Sequence, residues 1–181
     1  FAAGLDNLIT RNLCHMGAFA DEVVPANMQP FVLEGGSIES DGKGTLMTTV
    51  ECLSSVNRNE YLDQEALEHY LKDVFGLDRI LWINSGYLAG DDTDSHVDTL
   101  ARFCDEQTIA YVRCTDEADE HYAELHEMEQ EIQSFTQADG TPYRLIALPM
   151  ADKVEWEGER LPATYANFLI VNGAVLLPFY N

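Results

Sequence analysis

The sequence predicts an α/β fold built from repeated ββαβ units, a partial propeller rather than one continuous sheet. Three observations carry that expectation. A hairpin, a helix and a further strand recur in the same order, with a period of a little over sixty residues. Short polar turns punctuate the hairpins. Glycine or an Asp-Gly pair closes each helix. The expected units cover about 30–84, 96–149 and, incompletely, 163–181, all within one partial domain over 1–181.

A helix is expected around Cys14, with His15 at its end. In the first unit, strands Pro30–Ser40 and Thr45–Val50 flank the loop Asp41-Gly42-Lys43-Gly44. Leu62–Phe75 reads as a helix because Leu62, Ala66, Leu67, Tyr70, Leu71, Val74 and Phe75 follow the 3.6-residue period. Asp63 is placed to cap its start and Gly76 to stop it, and strand Arg79–Ile83 follows. The second unit repeats the pattern with strands Val97–Phe103 and Thr108–Val112 around Asp105-Glu106-Gln107. Its helix opens at Asp116 or Asp119, carries Tyr122, Leu125, Met128 and Ile132 on one face, and breaks at Asp139-Gly140 before strand Tyr143–Leu148. The third unit offers Ala163–Val171, the turn pair Asn172-Gly173, and Ala174–Phe179. The chain begins at Phe1 without Met and stops just past an apolar strand, so both ends are expected to be cut from something longer.

Ten basic residues stand against 32 acidic ones, a formal charge of −22. That balance opposes nucleic acid and anionic membranes as partners and suits cationic ligands, although an acidic surface also serves solubility alone. Cys14, Cys52, Cys104 and Cys114 form no C-x-x-C pair and have no histidine at zinc-finger spacing, so reduced structural thiols in a cytoplasmic protein are expected. No apolar run is long enough to span a bilayer.

In a propeller, equivalent points of successive units converge on the axis, and Glu34 and His96 stand one repeat apart at the entry of successive hairpins, with Tyr165 and Asn167 near the third. The densest polar stretch is Gly90-Asp91-Asp92-Thr93-Asp94-Ser95-His96-Val97-Asp98. It admits three readings: a solvated turn, a manganese or magnesium site, or a guanidine site. In the third, Asp98 pairs with a planar cation and His96 shuttles protons from the same strand face. In Phe31–Glu39, an apolar strand carries Glu34 before Gly35-Gly36, which signals a bend, unusual backbone angles or a close approach. An acid in such a strand needs a partner, and His96 would supply it. Trp82 is expected in the core and Trp156 in a loop, while His69, His121 and His126 are expected on exposed helix faces.

The segments FVLEGGSI (31–38), TTVEC (48–52), NRN (57–59), GDDTDSHVD (90–98), ARF (101–103) and LPATYANFLIVNG (161–173), in that order, resemble the agmatine deiminases and the related bacterial-type peptidylarginine deiminases. The resemblance spans essentially the whole chain. It implies a pentein-type α/β propeller of five units, of which about two and a half are present. It also implies hydrolysis of a guanidinium C–N bond through a covalent amidino-cysteine intermediate, without metal or cofactor. With agmatine as the small cationic partner, the products are N-carbamoylputrescine and ammonia, a step toward putrescine and the polyamines. By motif position, His96 is the general acid/base, Glu34 orients and stabilises it, Asp98 grips the guanidinium, and Asp92 contributes to the same pocket.

Two departures accompany the resemblance. Ser95 stands where the family commonly has glycine. The family's Gly-rich cysteine segment and its N-terminal Arg-Asp motif have no counterpart here, so this chain by itself is expected to be inactive. Alternatives are a peptidylarginine or arginine deiminase and a non-catalytic binding relative. Apolar surface left by absent units also leads to an expectation of self-association, as a homo-oligomer or an aggregate.

Overall fold

The computed structural model describes residues 8–21, 23 and 31–180. Pro30, where the first strand is expected to begin, lies outside them. Helix α1 (Ile9–His15) carries Cys14. The first unit then runs β1 (Ile38–Ser40), β2 (Thr45–Thr49), the one-turn helix α2 (Val50–Leu53), α3 (Gln64–Phe75) and β3 (Arg79–Ile83). The second runs α4 (Val97–Leu100, one turn), β4 (Ala101–Asp105), β5 (Thr108–Arg113), α5 (Tyr122–Ser134) and β6 (Arg144–Pro149). Each forms a three-stranded sheet of the same topology. β1 and β4 lie antiparallel to β2 and β5, and β3 and β6 return parallel to them after a helix, with Thr45 opposite Arg79 and Thr108 opposite Arg144. Two small hairpins follow, β7 (Glu155–Trp156) with β8 (Glu159–Arg160), and β9 (Leu169–Val171) with β10 (Ala174–Leu176). Asn172 and Gly173 turn the last one with φ of +49° and +77°, the left-handed pair that a two-residue type I′ turn demands.

Alternation along the strands joins the two units into one body. In β2 and β3, Leu46 and Ile80 pack with Leu53, Leu67 and Leu71 beneath α3. Their neighbours Met47, Leu81 and Ile83 point the other way, into a core with Val97, Leu100, Phe103, Ile109, Leu125, Met128 and Ile132 of the second unit. The first sheet is therefore covered on both faces. α5 contributes Leu125, Met128, Glu129 and Ile132, the i, i+3, i+4, i+7 stripe of an amphipathic helix. The β9–β10 hairpin differs: Leu169, Ile170, Val175 and Leu176 are all exposed.

Two expected strands change character where they approach the site. Of Pro30–Ser40, only Ile38–Ser40 is a strand; Gly35–Ser37 forms a 3₁₀ turn. The reason is Asn59, which is fully buried and takes the place of a strand neighbour for Val32. Its Oδ1 accepts from the Val32 N–H at 3.1 Å and its Nδ2 donates to the Val32 carbonyl at 2.9 Å. Of Val97–Phe103, the first four residues form the α4 turn, and only Ala101 onward is β4. His96 and Asp98 are thus not i, i+2 residues on one strand face.

The α3 boundaries follow from local chemistry. The Asp63 carboxylate accepts from the Ala66 N–H at 2.9 Å, and Gly76 closes the helix in the left-handed conformation. Asp63→Ala should lower stability by about 1 kcal/mol, read as a lower urea midpoint at unchanged slope; an unmoved midpoint would show that the cap contributes nothing.

Candidate functional site

The polar segments converge on one place because each is fastened to the others. Thr48 donates through Oγ1 to the Ser37 carbonyl at 2.7 Å, fixing the 3₁₀ turn after Glu34. Thr49 donates to the Ser95 carbonyl at 2.8 Å, fixing the loop before His96. Ser95 Oγ lies 3.1 Å from a Glu51 carboxylate oxygen. Asp94 and Ser95 both have positive φ, +57° and +59°, a conformation costly for residues with a side chain. Asp91 helps hold them there by accepting from the Ser95 N–H at 2.7 Å. The left-handed backbone at position 95 is one that glycine adopts without strain and serine does not.

Arg58 is the centre of this network, a residue that the sequence presents only as the middle of a three-residue motif. Its guanidinium grips Glu34 with two prongs, Nε to Oε2 and Nη2 to Oε1. Nη1 donates to Asp94, and Nη2 also reaches the Thr93 carbonyl at 2.9 Å. The side chain is 8% exposed. Hydrogen bonds from Arg58 hold the Glu34 and Asp94 carboxyls below their ordinary ranges, against the opposing effect of burial. Glu34 is not the buried strand acid that its context suggests; its side chain is 45% exposed, in an irregular segment.

His96 sits at the N-cap of α4 in extended backbone, which frees its ring from helical periodicity. The ring and the Asp98 carboxylate meet over Gly36: a Cβ at that position would fall 2.5 Å from His96 Nδ1 and 2.8 Å from Asp98 Oδ2. Close approach of these side chains, rather than positive φ, explains the glycine. On its other edge, His96 Nε2 lies 3.5 Å from Glu34 Oε2, near enough for charge attraction but without a well-formed hydrogen bond. His96 Nε2 and Asp98 Oδ1 are both buried and have no hydrogen-bond partner. Burial pushes the Asp98 carboxyl above the usual aspartate range. Two unsatisfied buried atoms on neighbouring side chains call for an external partner.

Glu34, His96 and Asp98 therefore come together, whereas Asp92 is exposed and no contact joins it to them among the described residues. Cys52 has no role legible in the sequence, yet its sulfur groups with Glu34 Oε and His96 Nε2, all within 4.8 Å of one another. Such a trio has the donor types of a zinc site. Arg58 already holds both Glu34 oxygens, however, so a guanidinium stands beside the trio and opposes a metal cation there; burial pushes the Cys52 thiol up to about 12. His121, expected on an exposed face, is 1% exposed; its Nε2 accepts from the Ala89 N–H at 2.8 Å and anchors the start of the 90–98 loop. Its position one residue before α5, among the acids of 116–120, conceals this in the sequence.

Among the described residues, no helix is long and apolar enough to cross a membrane. An agmatine deiminase from Pseudomonas fluorescens is 36% identical over 83% of this chain and 46% of its own length. The Medicago truncatula agmatine deiminase is 32% identical over 98% and 51%. A Porphyromonas gingivalis structure, provisionally named an arginine deiminase, superimposes with a TM-score of 0.93 at 55% identity, covering 97% of this chain and 52% of that one. A cysteine-to-serine variant of C. jejuni agmatine deiminase with substrate bound superimposes with 0.82 at 41%, covering 97% and 50%. The chain spans about half the length of the curated relatives it matches. Its mixed α/β fold is the fold of half of those deiminase structures. Residues 1–181 match the Porphyromonas-type peptidyl-arginine deiminases throughout, and the chain belongs to that family.

Proposed function

We propose that this chain forms the acid/base and guanidinium-binding part of an agmatine deiminase, in which the ββαβ units close radially with further chain into a propeller. The observation that carries the reading is the pair of buried atoms without a hydrogen-bond partner, His96 Nε2 and Asp98 Oδ1, on two side chains that meet over Gly36. A guanidinium offers a planar fork of N–H donors and a positive charge, which suits Asp98 Oδ1. Its reacting carbon would then stand beside an imidazole able to give and take a proton. Relatives named agmatine deiminase, one with substrate bound, support agmatine, while the 55%-identical structure and the family name support arginine or peptidyl-arginine as the alternative.

In the proposed reaction, a cysteine thiolate adds to the guanidinium carbon and the C–N bond to the departing nitrogen breaks. His96 gives that nitrogen the proton with which it leaves as ammonia. His96 then takes a proton from water as the water oxygen attacks the same carbon, and expulsion of the thiolate yields N-carbamoylputrescine. Glu34, held by Arg58, supplies negative charge beside the imidazolium that gives the first proton and that forms again when water is deprotonated. Cys52 does not suit the nucleophile's role, since its fully buried thiol is held protonated at neutral pH. The 181 residues alone should therefore release no ammonia, and we place the working enzyme in the cytoplasm, where thiols stay reduced. A non-catalytic binding relative is the second reading, supported by the same unpartnered atoms and by the protonated Cys52.

Four measurements test this reading in the whole gene product carrying this sequence. His96→Ala should cut ammonia release from agmatine by at least 10²-fold, and retained turnover would remove His96 from the reaction. Asp98→Asn should weaken agmatine binding by about 2 kcal/mol, roughly thirtyfold, because it keeps the shape and removes the charge. Gly36→Ala should weaken binding without unfolding, since its Cβ displaces the His96 and Asp98 side chains rather than backbone; unchanged affinity would place the ligand elsewhere. Binding needs the Asp98 carboxylate. Because that carboxyl titrates above its ordinary 3.8, affinity should begin to fall at a higher pH than an exposed aspartate would give, and keep falling with acidification.

A further inference from the structure

Arg58 is itself a guanidinium, bound by the groups that a guanidine ligand would choose: two carboxylates, one of them gripped by two prongs, and a carbonyl. Those acceptors lie within the same polar network as His96 and Asp98, and Glu34 is shared between them. Without Arg58, the recess would present two competing guanidinium sites, one on Glu34 and Asp94 and one on Asp98. With Arg58 in place, the first is filled from within the chain, and among the described residues Asp98 Oδ1 is left as the buried carboxylate oxygen without a hydrogen-bond partner.

We propose that Arg58 is a specificity-determining and positioning residue, an internal guanidinium that occupies the Glu34–Asp94–Thr93 acceptor set so that an external guanidine can enter in one place only, against Asp98 and His96. The inference rests on the guanidine-binding reading of this site. Lysine would not replace it, because an ammonium supplies a point charge and cannot bridge both Glu34 oxygens, Asp94 and the Thr93 carbonyl in one plane. The same network also holds Asp94 in its left-handed conformation, so occupancy of the acceptor set and placement of His96 are coupled.

The test is chemical rescue with guanidinium chloride in the whole gene product. Arg58→Ala should lose at least 10²-fold in kcat for agmatine, and millimolar guanidinium should restore at least tenfold of it with saturating dependence, while giving no rescue to His96→Ala. Arg58→Lys should keep the wild-type melting temperature and still lose kcat by at least tenfold. A purely structural role would not produce rescue by the free ion. A second arm counts guanidinium sites by calorimetry: Asp98→Asn should bind none, whereas Arg58→Ala/Asp98→Asn should bind one. Should wild-type protein release no ammonia from agmatine, the functional proposal fails, and the site count alone decides this inference. Wild-type kcat in Arg58→Lys, folded Arg58→Ala that guanidinium does not restore, or equal site counts in the two Asp98 variants would overturn it. If Arg58→Ala does not fold, the kcat of Arg58→Lys decides: a tenfold loss supports the inference and a wild-type value overturns it.

Discussion

The two-pronged contact between Arg58 and Glu34, extended to Asp94 and the Thr93 carbonyl, is the interaction on which the rest of the site depends. It joins three stretches of chain that share no regular secondary structure at the point of contact. Glu34 lies in an irregular segment before a 3₁₀ turn, Arg58 in a turn after α2, and Thr93-Asp94 in the loop before α4. A loop-built site needs such fastening, because loops lack the ladder hydrogen bonds that fix strands. Asn59 continues the same job one residue on, holding Val32 by both backbone groups.

The repeated ββαβ architecture supplies the frame. Met47, Leu81 and Ile83 of the first sheet are buried in the core of the second unit, so the units cannot shift relative to each other without opening that core. Glu39 on β1 adds a polar tie, accepting from Arg102 Nε at 2.8 Å and from the Phe103 N–H at 3.1 Å. Arg102 in turn donates to the Phe168 carbonyl at 2.6 Å, which draws the start of the third hairpin onto the same seam. The hairpin entries that carry Glu34 and His96 thus come together by packing, and Arg58 completes their alignment.

What is legible in the sequence is what local chemistry decides. α3 runs nearly as its periodicity, Asp63 and Gly76 dictate, and β3 spans Arg79–Ile83 as expected. Expectation and structure part where distant residues decide. The α4 turn is too short to show a helical period, so Val97–Phe103 reads as a strand. The Glu34 segment reads as a strand because nothing nearby shows that Asn59, 27 residues away, takes the Val32 hydrogen bonds. Arg58 and Cys52 acquire meaning only through partners 18 or more residues distant, and an arginine between two asparagines carries no signal of that. Glu34, His96 and Asp98 do come together, as the order of their motifs suggests, although the strand geometry expected for them does not hold.

The carboxylates of this one acidic patch have opposite tasks. Glu34 and Asp94 are neutralised from within, whereas Asp98 Oδ1 is buried without a hydrogen-bond partner, the oxygen that in the proposed function takes the ligand. A structure of the whole gene product with agmatine bound tests this most directly. The guanidinium is expected on Asp98 Oδ1, its carbon beside His96 Nε2, with Arg58 still on Glu34 and Asp94. A guanidinium seated on Glu34 with Arg58 displaced, or held by the Asp91-Asp92 loop, would contradict that division of tasks.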